Sequence, residues 1–270
     1  MYSLFINNSI SSNNGSSVQL SMNPPISLDP NKTYYASVHE IDIVYCFPNI
    51  ITGQNDTFIF KEMLNGPLTT FTCVFSQGIY SVGTLQNEIN RWTQDEVQNA
   101  NLFVLEPEES TSHIYIHFMT TTAQIVCTGS NSVMQMLGYP ASAGISGPVE
   151  YVNDFYEGDK AMLNNIQNVY LLASFVNGGY VNGQSKNILA SVTPDVAPYS
   201  TIMYRVQNPM RVPVCQPLLD NIQFQLTDQN NNPINMGITD PATDTPERWS
   251  ARIIISEMKN DDMYLNKNYQ

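Results

Sequence analysis

The sequence predicts an all-β fold, a sandwich, jelly roll or barrel, and three observations carry that expectation. Short runs of β-forming residues recur along the 270-residue chain, separated by Asn, Gly, Pro and Ser. Only two segments have helical spacing, whereas a parallel α/β fold needs a helix after nearly every strand. Thirty Asn residues and a charged share of only 13% favour many tight turns over long solvated helices.

The elements follow in order. "SVQLSM" (17–22) alternates apolar and polar residues and is closed by "NPP". "TYYASVHEIDIVYCF" (33–47) is a long β run with mixed faces. Tyr35, Ser37, His39 and Ile41 share one face by the period of two, and Val38, Glu40, Asp42 and Val44 share the other, which predicts a bulge or bend. "DTFIFKEM" (56–63) and "TTFTCVF" (69–75) follow, joined by an Asn-Gly-Pro turn. A short helix begins after Ser81, with Val82, Leu85, Ile89 and Trp92 as its apolar stripe and Ser81 as its cap. Strands follow at 102–106, 113–118 and 122–128, then a second small helix at 132–137, ended by Gly138 and Pro140. "ASAGISGP" (141–148) has the composition of a linker. The remaining strands are read at 168–176, 187–192, 200–206, 221–228 and 249–256, and the polar segment after Ser256 as a loosely held tail.

Charge narrows the function. Eleven basic against twenty-four acidic residues give a net −13. The basic residues are scattered singly, whereas phosphate binding needs them clustered. This argues against direct nucleic-acid contact and against docking on an anionic membrane. No apolar run approaches the ~20 residues that cross a bilayer, and the first residues lack the pattern of a secretory leader. Cys46, Cys73, Cys127 and Cys215 lie far apart with no CxxC pair, and three of them follow strand-like runs, where Cys acts as a small buried hydrophobe.

Few residues invite a catalytic reading. In "HIYIH" (113–117) the two histidines have the spacing of a helical zinc motif, but Ile114, Tyr115 and Ile116 are β formers and no Glu follows the first His. On a strand, residues four apart stand about 13 Å apart along the axis, too far to share one zinc at about 2.1 Å. The expected arrangement puts Ile114, Ile116 and Phe118 inward, with His113, Tyr115 and His117 on a wetter face. In "HEID", His39 and Glu40 point to opposite faces, which leaves Glu40 and Asp42 as either an inner carboxylate pair or an exposed polar edge. A cupin-like enzyme would need His39, His113 and His117 on paired strands. "NGGYVNG" (177–183) reads as a hairpin or loop tip, and "DQNNNPIN" (228–235) lacks the Gly and Glu of a calcium loop. The reading is therefore no enzyme, with no catalytic, cofactor-binding or metal residue and no cofactor.

Several segments taken in order resemble the penton proteins, minor capsid proteins of the vertex, of Polinton-like viruses and virophages. These are "YASVHEIDIVYCFPNI", "FSQGIYSVGTLQNEIN", "MQMLGYP", "ILASVTPDVAPYSTIMYRV", "IQFQLTDQNNNPINM" and "WSARIII", together spanning about 34–256. The chain departs from the family's pattern in lacking a Trp near Tyr34 and in placing Asn231 and Asn232 where a Gly often follows the Asp. The resemblance implies a single jelly-roll β-sandwich with two short connecting helices, spanning residues 1–256 as one domain. A loop insertion around 141–160 is left open, and 257–270 form a flexible polar tail. It also implies homopentamers at icosahedral vertices beside double-jelly-roll major capsid neighbours, with no nucleic acid and no membrane span. The location would be the virion, assembled in the interior of the host cell, in its cytoplasm. The alternative is a trimeric or monomeric β-sandwich head that binds a receptor or carbohydrate.

Overall fold

The computed structural model describes residues 1–8, 11–12, 15–63, 66–108, 110–127, 132–139, 149–152, 156–163, 166–181, 184–236 and 248–258. The linker read at 141–148, Pro140, residues 182–183 and the tail beyond 258 lie outside them. Contacts divide the chain into two compact units, Met1–Phe47 with Ile166–Gln270, and Pro48–Asn165. The second unit contains the 141–160 stretch.

The first unit opens with β1 (Tyr2–Asn7), β2 (Ser11–Ser12), β3 (Ser17–Ser27) and β4 (Tyr34–Val44). The second unit follows with β5 (Thr57–Met63), β6 (Leu68–Val74), α1 (Val82–Val97), β7 (Phe103–Glu108), β8 (His113–Phe118), β9 (Gln124–Cys127), β10 (Val149–Val152) and β11 (Tyr156–Glu157). The chain then completes the first unit with β12 (Val169–Ala173), β13 (Tyr180–Val181), β14 (Gln184–Ser185), β15 (Ile188–Val192), β16 (Thr201–Arg205), β17 (Val212–Pro213), β18 (Leu218–Thr227) and β19 (Trp249–Glu257).

In the first unit, eight strands form two antiparallel sheets, β1-β19-β4-β16 and β15-β12-β18-β3, with β17 paired to β4 and β2 to β3. First and last strands are neighbours, and consecutive long strands mostly alternate between sheets. This is the jelly-roll arrangement. The sandwich interior is apolar: Ile41 and Ile43 of β4, Ile253 and Ile255 of β19, and Ile222, Phe224 and Leu226 of β18 belong to one buried cluster.

β4 shows how a mixed pattern resolves. Ala36 and Val38 are buried, then Ile41 and Ile43, so the inward parity switches. The switch falls where the register with β19 passes from Val38 opposite Ile253 to Glu40 opposite Arg252, leaving His39 as the extra residue of a bulge. β3 runs further than its alternation predicts. It continues through "NPP" to Ser27 because pairing with β18 jumps from Ser21–Asn221 to Ile26–Leu219, so the two prolines sit in a bulge and owe the ladder no donor. β1 is a strand that the sequence does not announce, yet Leu4 and Ile6 alternate inward along it.

The second unit holds the sheets β10-β9-β5-β6 and β11-β8-β7. Its core gathers Phe58, Phe60 and Phe103 with Leu85 and Ile89 of α1. Ser81 caps α1 through a reciprocal box: its hydroxyl accepts from Thr84 N at 3.2 Å, and Thr84 Oγ1 accepts from Ser81 N at 2.8 Å. The helix extends past Trp92 to Val97 because Thr93 is also buried, and Gln98 ends it in the left-handed region at φ 58°. The second expected helix is reduced to a single 3-10 turn at Val133–Gln135. Gly138, at φ 90°, turns the chain there, and Tyr139 anchors it by donating its hydroxyl to Ile114 O at 2.5 Å.

Candidate functional site

"HIYIH" forms β8, with Ile114 and Ile116 buried and His113, Tyr115 and His117 partly exposed on the other face. That face meets the acidic side chains of β7. His117 Nε2 lies 2.7 Å from Glu106 Oε2, and Tyr115 donates its hydroxyl to Glu108 Oε2 at 2.9 Å. The hydroxyl of Thr111 joins at 2.8 Å, and these donors, Thr111 first and then Tyr115, hold the Glu108 carboxyl below its ordinary value. Hydrogen bonds to the ionised form fix the carboxylate as an acceptor. The pattern is a cross-strand polar ladder.

His39 lies in the first unit, on β4, whereas His113 and His117 lie in the second, on β8. Among the described residues, no group of three or more His, Cys, Asp or Glu side chains is placed to hold a metal ion.

Glu40 and Asp42 alternate with the buried Ile41 and Ile43, so they stand on the outward face of β1-β19-β4-β16. Cross-strand register builds two rows there. One runs Phe5, Arg252, Glu40, Arg205, and the other Asn7, Ser250, Asp42, Met203. Arg205 Nη2 donates to Asp42 Oδ2 at 2.8 Å, and Nη1 stands 2.8 Å from Oδ1. The hydrogen bond to Asp42 raises the Arg205 pKa further. Arg252 lies over the Phe5 ring, 5.5 Å from its centroid. A hollow of about 300 Å³ is lined by Phe5, Asn7, Glu40 and Arg252 of this face together with Val18 and Leu20 of β3. Asp42 is thus ion-paired with Arg205, and Glu40 stands between Arg252 and Arg205 in the neighbouring row. Sequence reasoning found Glu40 and Asp42 but missed Arg205, Arg252 and Phe5, because their partners come from strands far away along the chain.

A second hollow, of about 350 Å³, belongs to the other sheet of the first unit and is lined by Ser174, Lys186, Asn187, Gln223 and Gln225 among others. "DQNNNPIN" forms a tight turn built by Asp228, whose Oδ1 accepts from Asn230 N at 2.9 Å and from Asn232 N at 2.7 Å. Its other oxygen, Oδ2, accepts from the side-chain amide of Asn232 at 3.2 Å. Cys46, Cys73 and Cys127 are buried, Cys215 is exposed, and all four are free thiols. Burial pushes the Cys73 thiol up to about 12, with a smaller contribution from Glu96.

The architecture defines the class: an all-β protein built on a jelly roll, with a second β-rich unit between its third and fourth long strands. Among solved structures, the chain is similar to the mavirus penton protein, with 14% identity and a TM-score of 0.49, over 95% of this chain and 99% of that one. No protein-family model matches the sequence, and no curated protein matches it.

Proposed function

We propose that this chain is a structural protein, a minor capsid subunit that forms homopentamers at the vertices of an icosahedral particle, beside double-jelly-roll major capsid neighbours. The observation that carries this reading is the jelly roll whose interior is filled by apolar side chains. Jelly rolls serve as capsid, lectin and cupin domains. The packed apolar interior supports a role carried by the outer faces, edges and loops. The segments that resemble the penton family fall on the framework: on β4, α1, the 3-10 turn, β15, β16, β18 and β19. Residues 1–256 carry the role, in the virion, after assembly in the host cytoplasm and without a cofactor. No helix among the described residues is long and apolar enough to cross a membrane.

A ring of five needs a heterologous contact that closes on itself. Native mass spectrometry over a concentration series tests it. A species at five times 30.3 kDa is the expected result. A monomer at every concentration would remove the claim of self-assembly. The second reading, a carbohydrate- or receptor-binding head, is favoured by the amide-lined hollow at Gln223 and Gln225. A stable trimer would move the assignment to it.

A further inference from the structure

Exposed sheet edges carry unpaired N–H and C=O groups, and native proteins cover or blunt them. In the second unit the β7 edge is covered. Gln86 of α1 donates Nε2 to Phe103 O at 2.8 Å, and its Oε1 accepts from Leu105 N at 2.5 Å. β6 is treated differently. Among the described residues it pairs only with β5, and its sequence, "LTTFTCV", contains no charge, no Pro and no Gly. Leu68 and Val74 are 41% and 58% exposed there.

The ladder fixes which backbone groups face outward. Phe75 N donates to Asp56 O at 2.7 Å, so the odd-numbered residues of β6 bond to β5. Leu68, Thr70, Thr72 and Val74 therefore turn their N–H and C=O groups to the free edge.

We propose that β6 is a self-pairing edge, through which two copies of the chain join antiparallel about a two-fold axis at Phe71. The sequence is self-complementary in that register. Phe71 meets Phe71, Thr70 meets Thr72, and Leu68 meets Val74. Aromatic and Thr–Thr cross-strand pairs are the favourable ones, and outward-facing residues oppose outward-facing residues at every bonded position. The exposed Leu68 and Val74 cover each other across the junction. The absence of charge along β6 leaves a foreign partner nothing electrostatic to read, whereas a second copy sets Phe against Phe, Thr against Thr and Leu against Val. The two sheets merge into one, β10-β9-β5-β6 continued by its mirror order. This contact goes beyond the vertex reading and is separate from any five-fold contact. It would appear as a doubling of whatever species the chain forms.

The test is sedimentation velocity and native mass spectrometry on the full chain and two variants. Thr72→Pro removes one free-edge donor without breaking a bond to β5. The double variant Thr70→Lys/Thr72→Lys places Lys opposite Lys in both Thr pairs. Wild type is expected to show doubled species, and each variant is expected to raise the dissociation constant of the doubling about tenfold or more. Circular dichroism should stay unchanged, which guards against misfolding. Doubling that survives the double Lys variant, or its absence in the wild type at the highest soluble concentration, would overturn the proposal. A five-copy species unaffected by the variants keeps the two assignments separable.

Discussion

Asn49 ties three stretches of chain with one amide. Its Nδ2 donates to Tyr80 O at 2.7 Å and to Leu163 O at 2.9 Å, while its Oδ1 accepts from Tyr80 N at 2.8 Å. The side chain is buried, so each partner would be left without water if it were removed. Asn49→Ala is expected to cost about 2–3 kcal/mol, read as a shift of the urea midpoint of the full chain. Asn49→Asp should cost as much or more, because it sets a carboxylate against two carbonyl oxygens. A loss below about 0.5 kcal/mol in both would show that the amide does not bind these three stretches together. Nothing in the sequence marks Asn49 among thirty Asn residues. A buried amide has no periodicity, and its partners lie 31 and 114 positions away. Asn8 is similar: its Oδ1 accepts from Arg248 N at 2.6 Å and from Trp249 N at 3.1 Å, across nearly the whole chain.

Elements were legible where alternation is strict and local. β18 shows it: Ile222, Phe224 and Leu226 are buried between exposed or half-buried polar residues. β8 and the start of α1 were legible for the same reason. The misses have physical causes. β1 was hidden because six residues beside an Asn-rich stretch give too little pattern. The extension of α1 to Val97 depends on a buried Thr, which no apolar stripe announces. The second helix shrank to a 3-10 turn because Gly138 stands where a Cβ would fall 1.9 Å from Asp159 O, so neighbouring backbone dictates that turn. Gly138→Ala should therefore severely destabilise the protein, visible as loss of soluble expression or a large drop in melting temperature. The capping box of α1 is milder. Ser81→Ala should cost about 1 kcal/mol and speed hydrogen exchange at the Thr84 amide, while melting of the whole helix would place the cap's role higher than one hydrogen bond.

At the scale of the whole molecule, the fold class was legible and the partition into units was not. Composition and strand spacing point to a β protein of this length, but contacts, not residue types, decide that Pro48–Asn165 packs as its own unit. The outward rows on β1-β19-β4-β16 were half legible: Glu40 and Asp42 stand out in sequence, whereas Arg205 and Arg252 acquire meaning only through register. The four thiols give a test at this scale. At pH 8 a thiol reagent should modify Cys215 quickly and leave Cys46, Cys73 and Cys127 slow until the protein unfolds, since those three are buried and the Cys73 thiol is pushed up to about 12. Rapid reaction of all four under native conditions would contradict the packing of both cores.

The pairing of β19 between β1 and β4 has a consequence for the timing of folding. Chains are made from the N-terminus, and domains fold as units while synthesis proceeds. The unit at Pro48–Asn165 is continuous in sequence and holds its own core, so it can close while the ribosome is still translating. The jelly roll cannot. Its first sheet lacks a central strand until residues 249–257 emerge, and β1 has no partner in that sheet until then. The nascent chain therefore carries open strands until β19, which completes the sandwich, has left the ribosome.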